Sequence, residues 1–131
     1  MWWLTILTII KRFKHKVVLN DEDAKTANAT VGSHPAVERV RRAFQNDLEN
    51  IPAFLFIGLV YLFVPAPNWL IHLLYYTYLL ARIGHSIVYA VYILPQPSRG
   101  ICFGLSFIIV LYMSLHVLIV GFIDYGKRHK M

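Results

Sequence analysis

ERVRRAFQNDLENIPAFLFIGLVYLFV, residues 38–64, decides the fold. Its first half, Glu38 to Asn50, is dense in charged and amide side chains, and its second half is almost wholly apolar. No loop signal separates the two halves, so one helix carries both. Within the polar half, Arg39, Arg42, Gln45, Asn46 and Glu49 recur at helical spacing and line one face. Charged groups at the edge of a bilayer are expensive and normally turn to a protein interior or a wet cavity. Two readings of this face stand side by side: ion pairs that hold helices together, or the wall of a polar pocket.

Working outward, three more apolar segments appear: Trp2 to Ile10, Trp69 to Leu94 and Ile101 to Ile123. The last two have the length of spanning helices. Asn20 to Pro35 is polar and reads as a loop, Pro65-Ala-Pro67-Asn68 as a tight turn, and Leu94 to Gly100 as a second short loop. Short connections imply antiparallel neighbours. The expected architecture is all-α: an integral membrane four-helix up-down bundle in a single domain. Its helices are expected at 2–19, 35–64, 68–94 and 99–125, with a loop over 20–34.

Composition agrees. The chain has 131 residues, 57% hydrophobic and only 15% charged, with a mean hydropathy of +0.52. A soluble domain of this size has too little interior for that much apolar surface, whereas a bilayer solvates it. The net charge of +6 does not point to nucleic acid. The basic residues cluster beside apolar segments: Lys11, Arg12, Lys14, Lys16, Lys25, Arg39, Arg41 and Arg42 early, then Lys127, Arg128 and Lys130 at the end. Such clusters set topology and meet anionic headgroups, which places the first and third loops in the cytosol. The first helix is expected to be shortened. The nine residues from Trp2 to Ile10 rise only about 14 Å against a hydrocarbon core of roughly 30 Å, so its basic extension continues the helix or the start lies upstream.

The third segment carries Arg82, His85 and Tyr89 at i, i+3, i+7. An arginine inside an apolar span needs an anion: Glu49 or Asp47 within the bundle, or an anionic ligand. Tyr112 and His116, four apart in the last segment, read as packing residues. Cys102 is the single cysteine, so no internal disulfide forms, and it reads as a small buried hydrophobe. The six histidines show no metal-ligand grouping, and no P-loop, dinucleotide or zinc-hydrolase motif occurs. Asn28-Ala-Thr30 is a glycosylation sequon on a loop expected in the cytosol, where it stays unmodified.

VERVRRAFQNDLENI (37–51), ARIGHSIVY (81–89), LPQPSRG (94–100) and, more weakly, KVVLNDED (16–23) together resemble the MAPEG family, the membrane-associated proteins of eicosanoid and glutathione metabolism. The resemblance implies a homotrimer of four-helix subunits in the endoplasmic reticulum membrane, with the mitochondrial outer membrane as a second location. It implies glutathione held between subunits near the cytosolic side, and no metal. By the same resemblance Arg12, Arg42, Gln45, Asn46, Glu49, Arg82, His85 and Tyr89 hold glutathione. Arg99 stabilises its thiolate, and Asp23 matches an acidic residue of the prostaglandin-isomerising branch. The implied activity is that of a glutathione transferase and peroxidase acting on a lipophilic electrophile or lipid hydroperoxide delivered from membrane lipid. A prostaglandin-isomerising enzyme and a non-catalytic lipid-binding adaptor are the alternatives. The sequence departs from the family at Phe44, where relatives carry His. Gln45, Gly100 and Phe103 stand where the isomerising branch has Arg, Ser and Tyr, and Pro52 lies one place early.

Overall fold

The computed structural model describes residues 1–92 and 97–129. They form five helices, α1 (Trp2–His15), α2 (Asp21–Ala27), α3 (Pro35–Tyr61), α4 (Asn68–Ala90) and α5 (Ser98–Arg128), and two very short strands, β1 (Val17–Val18) and β2 (Thr30–Val31). α3 is the hub: it packs against α1, α4 and α5, and α4 packs against α5.

Local chemistry explains the boundaries. α1 closes at Lys16, whose left-handed backbone (φ 50) lets its N–H reach the Arg12 and Phe13 carbonyls. The helix therefore stops short of residue 19. The segment expected as loop, 20–34, is partly ordered. Asp21, Glu22 and Asp23 fill the first turn of α2, where carboxylates complement the helix dipole. Asn28, at φ 47, ends it. The chain then returns so that β2 lies parallel to β1, with Val17 opposite Thr30 and Val18 opposite Val31.

α3 begins with Pro35 at its first position and His34 as N-cap, the imidazole Nδ1 accepting from the Ala36 N–H. It ends at Tyr61 rather than 64, because the chain folds back on itself in a turn before Pro65 and Pro67. α4 ends at Ala90, short of the expected 94; residues 93–96 lie outside the described range. α5 starts one residue earlier than expected and runs on to Arg128.

Two apolar clusters hold the helices together. Phe54, Tyr61, Val64, Tyr78, Ile109 and Met113 join α3, α4 and α5. Leu4, Val40, Ala43 and Ala90 join α1, α3 and α4. Contact is close at Gly58, where an added Cβ would stand 3.0 Å from the Tyr75 hydroxyl. The outside is as apolar as the inside: Trp2, Phe56, Phe63, Trp69 and Phe122 are all exposed. Such a continuous apolar exterior suits lipid and not water. Among the described helices, α5 alone is long and apolar enough to cross a bilayer by length and composition, with a mean hydropathy of 2.4 over its best window. α4, expected to match it, carries Asn68, His72, Arg82, His85 and Ser86, which dilute its apolar run.

Candidate functional site

α3 has two polar faces, and the fold treats them differently. Val40, Ala43, Asp47 and Phe54 turn inward and are buried. Opposite them, α4 presents Arg82, His85 and Ser86, all buried and spaced to share one side of the helix. Arg82 Nη2 forms an ion pair with Asp47 Oδ1 and also donates to Asn46 Oδ1 at 2.8 Å. Ser86 Oγ donates to Asp47 Oδ2 at 2.8 Å. Both carboxylate oxygens are therefore occupied. A turn away, Tyr78 stacks on Phe54 with ring centroids 3.6 Å apart and donates its hydroxyl to the Asn50 carbonyl at 3.0 Å. Of the two partners the sequence offered Arg82, the structure selects Asp47. Ser86 was missed: it stands at i+4 from Arg82, the remaining position of that face, and small hydroxyls give no signal of their own in an apolar span.

Continuing along α4, the His85 and Tyr89 rings lie 5.7 Å apart. The Arg99 guanidinium sits over Tyr89 at 5.0 Å from the ring centre, within the range of a cation–π contact. Arg99 is the second residue of α5, so α4's end and α5's start fix this cation between them. Arg82 Nε, Arg82 Nη1, His85 Nδ1 and Arg99 Nε are buried without a hydrogen-bond partner among the described residues.

The other face of α3 points out of the chain. Arg42, Gln45 and Glu49 are exposed, and Gln45 Nε2 donates to Glu49 Oε1 at 3.2 Å. Nearer the helix start, Glu38 accepts from Ser33 and from Arg41. These two hydrogen bonds, the serine's first, hold its carboxyl below the ordinary glutamate range.

Arg12 and Asp23 lie elsewhere again. They line a cavity of about 380 Å³ between the end of α1, β1 and α2, whose walls include Ile9, Phe13, Lys16 and Val18. Its walls include no residue of the buried Asp47–Arg82 pair. Within one chain the sequence-selected residues thus form three groups: Arg82, His85 and Tyr89 of α4 with Asn46 of α3 and Arg99 of α5; Arg42, Gln45 and Glu49 facing outward on α3; and Arg12 with Asp23 beside α2. His116, read as packing with Tyr112, does join helices: its Nδ1 and the Tyr61 hydroxyl are hydrogen-bonded at 2.8 Å, tying α5 to α3. Among the described residues no group of three His, Cys, Asp or Glu side chains comes together to hold a metal.

The model of the MAPEG family matches residues 1–119. The chain belongs to the MAPEG family. With that it takes its place among membrane-bound proteins, as its exterior requires. It is 38% identical over 125 residues to microsomal glutathione S-transferase 1 of Mus musculus, covering 90% of this chain and 79% of the relative. The Homo sapiens protein of that name gives the same identity and coverage. Prostaglandin E synthase of Homo sapiens is 32% identical over 120 residues, covering 90% of this chain and 78% of the relative.

Proposed function

We propose that this chain is a membrane-bound glutathione transferase and peroxidase, a four-helix subunit that acts as a homotrimer in the endoplasmic reticulum with its pocket facing the cytosol. The observation that carries the reading is the 38% identity with microsomal glutathione S-transferase 1 across 90% of the chain. The outward placement of Arg42, Gln45 and Glu49 supports a shared pocket, since these side chains meet a ligand held with Arg99 only if another subunit closes over them. In this reading Arg12 and Arg42 take the glutathione carboxylates and Glu49 its ammonium. Gln45, Asn46, Arg82, His85 and Tyr89 supply the remaining polar contacts. Asp23 is assigned to catalysis together with Arg99.

The chemistry follows from charge. A thiol with an ordinary pKa near 8.5 is a poor nucleophile until it ionises. Lowering that pKa by two units requires about 2.7 kcal/mol. A guanidinium about 4 Å from the sulfur supplies roughly 4 kcal/mol at an effective dielectric near 20, so Arg99 alone is sufficient. The thiolate attacks an electrophilic carbon, a C–S bond forms, and the leaving group departs as an anion. With a hydroperoxide, two glutathione thiols are oxidised to one disulfide while the hydroperoxide is reduced to an alcohol and water.

Stopped-flow ultraviolet absorbance of the purified protein with glutathione tests the proposal. Thiolate should form in the wild type. Arg99→Ala should keep the fold but lose on the order of 10²-fold or more in conjugation of a chlorinated nitrobenzene, the usual cost of removing a preorganised charge-stabilising donor. Wild-type turnover in that variant refutes the role. The 32% identity with prostaglandin E synthase favours an isomerase as the second reading; conversion of a prostaglandin endoperoxide without net glutathione consumption distinguishes it. A lipid-binding adaptor forms no thiolate at all.

A further inference from the structure

The orphaned atoms beside the Asp47–Arg82 pair form a consistent set. A guanidinium has five N–H groups and no acceptor. Arg82 commits Nη2 to Asp47 and Asn46, which leaves Nε and Nη1, both buried and unpartnered among the described residues. His85 stands three residues on, on the same side of α4, where helical neighbours meet. Its Nδ1 is also buried and unpartnered among the described residues, and the residue as a whole is only 4% exposed. Arg99 Nε, the further orphan nearby, is again a donor.

Every orphan in this patch apart from His85 Nδ1 is thus an N–H without an acceptor among the described residues. A hydrogen on Nδ1 would add one more. A lone pair on Nδ1 supplies what the patch lacks. Arg82 and His85 need not touch: one water accepting from the Nε–Nη1 fork and donating to Nδ1 makes three hydrogen bonds, the usual number for a buried water. Asp47 spends one hydrogen bond of each oxygen on Arg82 and Ser86 and makes none to His85 among the described residues.

We propose that Asp47 and Ser86 are positioning residues that, through Arg82 and one bridging water, fix His85 as the Nε2–H tautomer and so make it a hydrogen-bond donor, not a base, towards glutathione. The logic is that of a histidine whose free nitrogen is set by what its other nitrogen meets. The proposal rests on the glutathione reading for the identity of the ligand, but the tautomer itself is independent of it.

Nitrogen-15 NMR of histidine-labelled protein in detergent micelles tests it, with the His85 signals assigned by their loss in His85→Gln. The wild type should show His85 protonated at Nε2 and bare at Nδ1. Ser86→Ala should release Asp47 and give a mixture of tautomers, with KM for glutathione raised about tenfold and kcat within twofold. Ser86→Thr, which keeps the hydroxyl, should restore both. Asp47→Asn should move the tautomer further in the same direction; if it fails to fold, the serine pair decides alone. A wild-type His85 protonated at Nδ1, or a tautomer and KM indifferent to Ser86→Ala, overturns the proposal. Absence of glutathione binding by calorimetry, with Nε2–H intact and sensitive to Ser86, sinks the transferase reading and leaves the tautomer relay standing.

Discussion

Asp47 and Glu49 are two carboxylates two residues apart on one helix, and they live in different worlds. Asp47 is 2% exposed and holds an arginine and a serine of α4. Glu49 is exposed and accepts a hydrogen bond from Gln45, one turn back on its own helix. The first is committed within the chain, and its removal leaves a buried cation without an anion. The second is uncommitted, and its removal costs the isolated chain little. The same alphabet of residues therefore builds a scaffold on one side of α3 and a recognition surface on the other.

The contrast is sharpest in stability. Asp47→Ala strands Arg82, and a broken buried pair typically costs about 3–5 kcal/mol; thermal unfolding in detergent should show a large loss. Replacing both partners, Asp47→Leu with Arg82→Met, should recover most of it, since apolar groups of similar volume substitute well for a buried pair. A double variant as unstable as the single one would mean that the pair has an anchoring role beyond charge.

Glu49→Gln should do the reverse. An exposed i, i+4 side-chain hydrogen bond is worth about 0.2–0.5 kcal/mol, so unfolding should barely move. Glutathione affinity, read by calorimetry, should fall about tenfold as the ammonium loses its partner. A lowered melting temperature with unchanged affinity would place Glu49 with Asp47 on the structural side.

A third site lies at the edge between the two regimes. His15, at the end of α1, stacks on the His34 cap of α3 with ring centroids 3.6 Å apart and 12° between planes. Desolvation first, then the His34 ring and the Lys14 and Lys11 charges, hold His15 below its ordinary value of 6.5. A depressed histidine binds fewer protons folded than unfolded. Its contribution is therefore complete above pH 6.5 and fades as pH falls through the folded value. Protection from hydrogen exchange at the α1–α3 junction, taken against the intrinsic rate at each pH, should fall modestly below pH 6.5, and His15→Gln should flatten that dependence. Protection that ignores pH in both proteins would remove the stack from the junction's stability.

Much of this was legible in the sequence. The polar half of α3 announced itself because charge runs directly into an apolar segment, and Arg82 announced itself because nothing else in its span is charged. Which carboxylate it takes was not legible: Asp47 and Glu49 are both within a turn of the right depth, and only the rotation of α3 against α4 decides. The short elements between residues 16 and 31 were hidden for another reason. Two-residue strands have no periodicity to read, and the backbone reversals at Lys16 and Asn28 use residues that carry no glycine signal. The scatter of Arg12, Glu49 and Arg99 into separate groups within one chain was likewise invisible to spacing, which reports faces of a helix and not which faces meet.

Pro52, inside α3, carries a consequence of its own. It has no N–H, so the Leu48 carbonyl one turn earlier loses its helical donor. The break falls where the charged half of α3 gives way to the apolar half. On one side of it lies Asp47, fixed to α4; on the other lies Phe54, stacked on Tyr78 of the same helix. α4 therefore splints α3 across its weakest turn. The two halves are held in line less by their own hydrogen-bond ladder than by the neighbour they share, and loosening either attachment turns a rigid rod into an articulated one.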